Sequence, residues 1–386
     1  MRKIRIIADD KIPFLRGVLD RVADIQYMPG SAITARDVKD ADALLIRTRT
    51  ICNASLLEGS TVKFIATATI GFDHIDTAYC KQKEIFWTNA PGCNSSSVEQ
   101  YIVSALLTLA VKLKLELSVM SIGVIGVGNV GTKVARAARI LGMKVLLNDP
   151  PRALTEGLNG FESLEKIKKE ADIVSFHVPL NMSGPFKTYG IADKHFFEGF
   201  IKKTILINSS RGEIINEKDI ISAKRNSQFL ALVLDVWNDE PYINASLLNE
   251  ASIASPHIAG YSTDGKANGT RMSVQALSRF FKLGMDNWSP KNIPLPENTQ
   301  IVADGTGKSE LEILYEVYTQ AYNIMTDDLA LRTDIKEFET LRGNYRLRRE
   351  PYAYMVKLLN NPFPDVEEKL TKLGFSILAL NNFYEL

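Results

Sequence analysis

Three residues near the ends of apolar runs have the types and the order needed for acid–base work on a hydroxyl group: Arg211, Glu240 and His257. Arg211 follows an apolar run at 204–208 and precedes Gly212, a residue that permits close backbone approach. Glu240 lies in the Asp239-Glu240-Pro241 turn after a run at 229–236, and His257 lies between Pro256 and an Ile258-Ala259-Gly260 turn. Oxidising an alcohol needs a base for the hydroxyl proton, an acceptor for the hydride and a cation for a neighbouring carboxylate. Imidazole titrates near neutrality, which suits His257 as the base. A carboxylate on its other ring nitrogen stabilises the charged ring, the role open to Glu240. A guanidinium grips a carboxylate with two prongs, the role open to Arg211. Of the 4 histidines, His74 stands beside Asp73 and Asp76 and reads as a local structural hydrogen bond. His195 reads as a helix-surface residue, and His177 as a lining of the ligand edge of a sheet.

The hydride acceptor has its own signature. An apolar run at 119–127 enters Gly126-Val127-Gly128-Asn129-Val130-Gly131, and a run of small and apolar residues follows to Leu141. This is strand, Gly-x-Gly-x-x-Gly, helix. Gly126 permits the tight turn, Gly128 lets a pyrophosphate approach the backbone, and Gly131 brings the helix close to the strand. The helix N-terminus, at Asn129 and Val130, offers N–H groups to phosphate. A second strand over 143–147 ends at Asp149, placed for the ribose hydroxyls at roughly 20 residues past the motif. A carboxylate there repels a 2′-phosphate, so the expected cofactor is NAD rather than NADP.

Elements that alternate along the chain must position these groups. Strands are expected at 4–8, 25–28, 43–46, 64–71 and 85–88, with helical spacing over 14–22. Ser96 to Glu99 fits a capping box ahead of a long helix with Val98, Ile102, Leu106 and Leu109 on one face. Strands follow at 171–179, 204–212, 229–236 and 251–260, each ending in polar residues at the edge where doubly wound sheets bind ligands. A helix over 269–283 leads back to the first domain and makes it discontinuous. Pro290, Pro294 and Pro296 mark a linker to a smaller module with a helix near 310–325, a basic segment, another helix and a strand at 375–380. Gly305-Thr306-Gly307-Lys308-Ser309 ends like a phosphate-binding loop, but Val302 occupies the position of the first glycine, so that reading is rejected.

The bulk numbers bound the classes. At 386 residues the chain exceeds one core. A formal charge of +1 favours neither nucleic acid nor a membrane surface, and no apolar run is long enough to span a bilayer. Cys52, Cys80 and Cys93 are too scattered for a zinc site or disulfide frame, so no metal is expected. The opening residues lack the apolar stretch of a secretion signal, and a cytoplasmic location is the expectation.

Taken together, the glycine turn with Asp149, Ser-Arg-Gly at 210–212, Asp-Glu-Pro at 239–241 and Pro-His-Ile-Ala-Gly at 256–260 resemble the D-isomer-specific 2-hydroxyacid dehydrogenase family. The resemblance implies an α/β protein: a Rossmann-type NAD-binding domain at 93–258, a flavodoxin-like discontinuous substrate domain at 1–92 and 259–289, and a smaller α+β dimerisation domain at 290–386. It implies Arg211, Glu240 and His257 as the catalytic set. Asp149, Asp235 and Gly260 match cofactor positions, as does Val178, where a threonine is usual. Thr48, Thr69 and Tyr261 match substrate positions. Stretches such as Thr67 to Asp76, Asn148 to Arg152 and Asn344 to Glu350 are similar to one branch of the family. That branch implies oxidation of a small-molecule substrate, 4-phospho-D-erythronate, to 2-oxo-3-hydroxy-4-phosphobutanoate on the way to pyridoxine 5′-phosphate, by a homodimer. Arg47, Tyr261 and the Arg346, Arg348, Arg349 cluster are candidate phosphate contacts, the cluster being equally readable as a solvated or interface charge run. The alternatives are another member such as 3-phosphoglycerate dehydrogenase, or a non-catalytic NAD-sensing corepressor of the same fold.

Overall fold

In the computed structural model, which describes residues 3–378, the apolar runs of the first ninety residues become five parallel strands. They are β1 (Ile4–Asp9), β2 (Ala23–Met28), β3 (Ala43–Ile46), β4 (Phe64–Thr67) and β5 (Phe86–Thr88), in the order β2-β1-β3-β4-β5. This is the flavodoxin-like order. β3 and β4 are buried on both faces, which is why they read as unbroken apolar runs rather than alternating ones. The helix Thr263–Phe281 completes this unit, placing Val274 and Leu277 in a core with Ile6, Ala8 and Phe64. The unit therefore comprises Met1–Asn94 and Ser262–Pro294, and its chain is discontinuous. The helix expected over 14–22 does not form. Phe14 (φ 61°) and Gly17 (φ 81°) are left-handed, and two such residues in one turn stop a right-handed helix. Leu15 and Leu19 are nevertheless fully buried, so the apolar spacing served a packed turn.

The second unit comprises Ser95–Tyr261 and Leu295–Leu386. Its main sheet contains β6 (Ser121–Ile125), β7 (Lys144–Asn148), β8 (Ile173–Phe176), β9 (Thr204–Asn208), β10 (Phe229–Leu234) and β11 (Ile253–Ala254), all parallel, in the order β11-β10-β9-β8-β6-β7. The connection from β6 runs to one side and later strands add on the other, so the switch point lies at β6, beside the glycine turn. The helix Ser95–Leu113 packs against both the helix Asn129–Ile140 and the helix Glu310–Ala321. It is buried on nearly every side, not on the single face expected. The expected capping box is absent: Glu99 pairs with Arg136 at 2.7 Å and Ser96 accepts from Lys133.

Residues beyond 295 build a third sheet, β12 (Gln300–Asp304), β13 (Met355–Leu359) and β14 (Ser376–Ile377), also parallel. Two of its strands were not expected. The helix foreseen near 310–325 is two, Glu310–Ala321 and Ile324–Thr333, broken at Tyr322 and Asn323. The strand foreseen at 375–380 reduces to β14, and positions 379 and 380 lie outside the described residues. Ser309 and Glu312 form a capping box, so the loop resembling a phosphate loop is a helix cap. Rather than standing apart, this segment closes the edge of the main sheet. The Ala254 N–H of β11 donates to Asp328 at 2.7 Å, and Arg332 donates to the Leu248 and Ala251 carbonyls. Among the described residues no helix is long and apolar enough to cross a membrane, and no three His, Cys, Asp or Glu side chains gather as a metal-binding group.

Candidate active site

Adjacent strands β9, β10 and β11 deliver Arg211, Glu240 and His257 to one edge of the sheet. Glu240 accepts the Nδ1–H of His257 at 2.7 Å on one oxygen and the Trp237 N–H at 3.0 Å on the other. A carboxylate can only accept, so His257 carries a proton on Nδ1, and in the neutral ring the lone pair is on Nε2. Burial pushes the Glu240 carboxyl up, but the His257 bond and charge, the Trp237 N–H and the Arg342 charge outweigh it and hold the group below its ordinary range. His257 is left-handed, at φ 55°, a conformation costing about 1–2 kcal/mol for a residue with a side chain. Asp235 imposes it. Its carbonyl accepts the His257 N–H at 2.7 Å, and its carboxylate accepts the Ile258 and Ala259 N–H groups and the Ser255 hydroxyl. Asp235 was expected among the cofactor contacts; it is fully buried and its carboxylate is committed to this loop. Burial drives that carboxyl upward despite the opposing His257 charge and hydrogen bonds.

Arg211 begins a short turn after β9 and donates to its neighbour Ser210's carbonyl at 2.8 Å. Gly212 is required beside it: a Cβ there would stand 2.0 Å from the Trp237 carbonyl carbon. The β9 and β10 loops thus touch backbone to backbone, fixing Arg211's strand end against the one that carries Glu240.

The glycine turn fits a dinucleotide. A Cβ on Gly131 would fall 1.9 Å from the Gly126 carbonyl oxygen, and one on Gly126 (φ 88°) would fall 2.7 Å from that of His177. A Cβ on Gly128 meets nothing within 4 Å, so that glycine keeps open the space where the helix Asn129–Ile140 begins. Asp149, at the end of β7, accepts from Val127 N–H at 2.8 Å and Arg152 N–H at 3.1 Å. It therefore anchors the turn at the end of β7. Arg152 is bound to Glu156 through two nitrogens and to the Val127 carbonyl, so it is not poised for a 2′-phosphate. Val178 packs against Gly126 as an apolar cover. Behind it, burial pushes the His177 imidazole down to about 3; its Nε2 meets the Ser175 hydroxyl and its Nδ1 has no partner.

Residues 100–259 match the NAD-binding domain of the D-isomer specific 2-hydroxyacid dehydrogenases, and 293–374 match a domain of unknown function (DUF3410). Curated relatives include the erythronate-4-phosphate dehydrogenase of Bacteroides fragilis, 50% identical over 92% of this chain and 99% of the relative. That of Proteus mirabilis is 38% identical over 97% and 99%. The chain belongs to the erythronate-4-phosphate dehydrogenases. Among solved structures, D-lactate dehydrogenase from Aquifex aeolicus, complexed with NAD and lactic acid, superposes with a TM-score of 0.61. It is 26% identical and covers 73% of this chain and 96% of its own.

The first unit places Arg47 and Thr48 just after β3 and Thr69 just after the adjacent β4. Thr69 shares a 2.7 Å hydrogen bond with Thr67, which meets His74 Nε2 at 3.1 Å, so His74 makes a local structural hydrogen bond. Arg47 donates to the Lys11 carbonyl. In the second unit the Arg346, Arg348, Arg349 cluster divides: Arg346 is exposed, whereas Arg348 and Arg349 are buried. Arg346 pairs with Asp327 at 2.6 Å, and Arg349 is buried. Arg348 is fully buried, stacks 4.4 Å over Tyr322, and donates to the Ala259 carbonyl and to Ser97. It clamps the backbone two residues from His257. One further residue escaped the sequence reading: Arg342, which donates to the Tyr261 hydroxyl at 3.0 Å. Only its place beside the basic segment hinted at it.

Proposed function

We propose that the protein oxidises 4-phospho-D-erythronate at C2 to 2-oxo-3-hydroxy-4-phosphobutanoate, reducing NAD, as the family name suggests. The observation that carries the reading is the Glu240–His257 pair, 2.7 Å apart, with Nε2 left as the free base. NAD, when bound, supplies the hydride acceptor for the hydrogen on C2. His257 Nε2 takes the C2 hydroxyl proton, and the half-buried carboxylate of Glu240 stabilises the imidazolium that results. Arg211 holds the substrate carboxylate and polarises the emerging carbonyl. Thr48 and Thr69 are proposed substrate contacts in the first unit, and Tyr261 in the second. The domain division given by the sequence stays part of this reading, with 290–386 as the dimerisation domain. On β12 and β13 the buried residues alternate with an outward face that carries Val302 and Met355 among Gln300, Asp304 and Lys357, a mixed surface of the kind a second copy can cover. A cytoplasmic setting accords with three free cysteines.

The test measures NADH formation side by side with 4-phospho-D-erythronate, 3-phosphoglycerate and unphosphorylated erythronate. A parallel assay contains a 2-oxoacid to recycle retained NADH. Preference for phosphoerythronate, abolished in His257→Ala, is expected. Preference for 3-phosphoglycerate would discard the substrate, and NADH binding without turnover would favour a corepressor. Light scattering reads the proposed dimer.

A further inference from the structure

Arg342 has no part in the chemistry above, yet it is built into the same loop. It lies on the helix Phe338–Gly343, and its side chain turns toward the residues that follow His257. One terminal nitrogen donates to the Tyr261 hydroxyl at 3.0 Å and the other pairs with Glu339 at 3.0 Å. The guanidinium carbon stands 5.5 Å from the Tyr261 ring centre and 5.8 Å from that of Phe338. Its Nε–H is buried without an acceptor. Two partners leave several of the five guanidinium N–H donors uncommitted. The charge also reaches the catalytic pair, being among the influences that hold Glu240 below its ordinary range.

A phosphorylated 2-hydroxy acid brings two anionic ends to this site. Its carboxylate belongs with Arg211 if its C2 hydroxyl is to meet His257. The other end carries about −1.5 to −2 charges and, once removed from water, needs a cation with fixed geometry. Arg348 and Arg349 are buried, and Arg346, though exposed, is held by Asp327 and the Asn323 carbonyl. Arg342 remains, held at Tyr261 and charged whatever the pH. We propose that Arg342 is the specificity-determining cation for the terminal phosphate of the substrate, with the Tyr261 hydroxyl setting its position. The proposal rests on the dehydrogenase reading above.

The experiment compares kcat/KM for 4-phospho-D-erythronate and D-erythronate in the wild type, Arg342→Met, Arg342→Lys and Arg47→Met. A charge-assisted hydrogen bond is worth about 1.5–3 kcal/mol, which corresponds to a roughly 10- to 150-fold fall in the phosphorylated-to-unphosphorylated ratio in Arg342→Met. Inhibition by inorganic phosphate should weaken in parallel. Arg342→Lys keeps the charge without the fork and should lose part of the ratio. A loss shared equally by both substrates would overturn the proposal, since that is what damage to the Glu240 environment alone would produce. So would a ratio retained in Arg342→Met but lost in Arg47→Met. A wild type with no preference for the phosphorylated acid would overturn the substrate reading and this proposal together; a wild-type preference that survives in Arg342→Met overturns this proposal alone. NADH binding reports folding. Should Arg342→Met fail to bind NADH, Arg342→Lys carries the test, with a lowered ratio at unchanged NADH affinity as the expected result and an unchanged ratio as the refutation.

Discussion

Replacing Glu240 by glutamine removes a charge but should act chiefly by moving a proton. In the wild type, one carboxylate oxygen takes the Trp237 N–H at 3.0 Å and the other takes the His257 Nδ1–H at 2.7 Å. A glutamine has one oxygen and one NH2 for these two donors. If its oxygen faces His257, the buried Trp237 N–H confronts another donor, at a cost of about 1–3 kcal/mol. If its oxygen stays with Trp237, its NH2 faces Nδ1, and the imidazole must carry its proton on Nε2, where the substrate proton has to go. The second arrangement is the cheaper, because the ring has an alternative tautomer and the peptide has none. General-base catalysis contributes roughly 100- to 10,000-fold, equivalent to about 3–5 kcal/mol on the barrier. Glu240→Gln should therefore lose that factor in kcat with little change in NADH affinity. The assay is the initial rate of NADH formation at saturating and limiting substrate, with NADH binding followed by fluorescence. Deuterium at C2 should give a larger rate effect in the variant, because the chemical step then limits turnover. A variant keeping more than about a tenth of the wild-type kcat, or losing only KM, would refute the assignment of His257 as the base and Glu240 as the group that sets its tautomer.

The two inner glycines of the cofactor turn should fail differently. Gly131→Ala places a Cβ against the Gly126 carbonyl and should cost stability, about 1–3 kcal/mol, seen as a lower melting temperature. Gly128→Ala meets no atom of the protein and should leave melting unchanged while weakening NADH binding about tenfold or more, read by fluorescence titration. His177 should make stability pH-dependent. Below about 6.5 the unfolded chain binds a proton there that the folded chain refuses until about 3, so stability falls as pH falls through that window. The loss should reach about 2 kcal/mol by pH ~5 in denaturant titrations, and His177→Gln should lack it. Arg348→Met should loosen the loop behind His257; amide hydrogen exchange at residues 257–261 should accelerate while exchange in β6 does not, and kcat should fall.

Local requirements were legible in the sequence, and long-range ones were not. The glycine turn, Arg211 beside Gly212, and Glu240 before a proline are short patterns whose geometry is set within a few residues, so their types and spacing suffice. The central strands of both large sheets, such as β3, β4, β8 and β9, announced themselves because they are buried on two faces and thus largely apolar. The turn at 14–22 misled because helical spacing and a packed turn both bring Leu15 and Leu19 inward, and only the left-handed Phe14 and Gly17 decide between them. β12 and β13 escaped because each alternates over five residues and each pairs with a partner far along the chain. Arg342 reaches Tyr261 across 81 positions, and no local pattern encodes that. Asp235 looked like a ligand contact from its place at a strand end; its commitment to the Ile258 and Ala259 amides depends on how the β11 loop folds back.

The clamp on the Ala259 carbonyl also sets an order of events in the making of the protein. Arg348 lies 89 residues after the backbone it holds. At a synthesis rate of about 5–20 residues per second, the left-handed segment bearing His257 is made roughly 4 to 18 s before the arginine that pins it. Through that interval the nascent sheet has its base, its carboxylate and its cofactor turn, but one anchor of the base is missing. Competence should therefore arrive late and abruptly, when the basic segment docks, rather than growing with each completed strand.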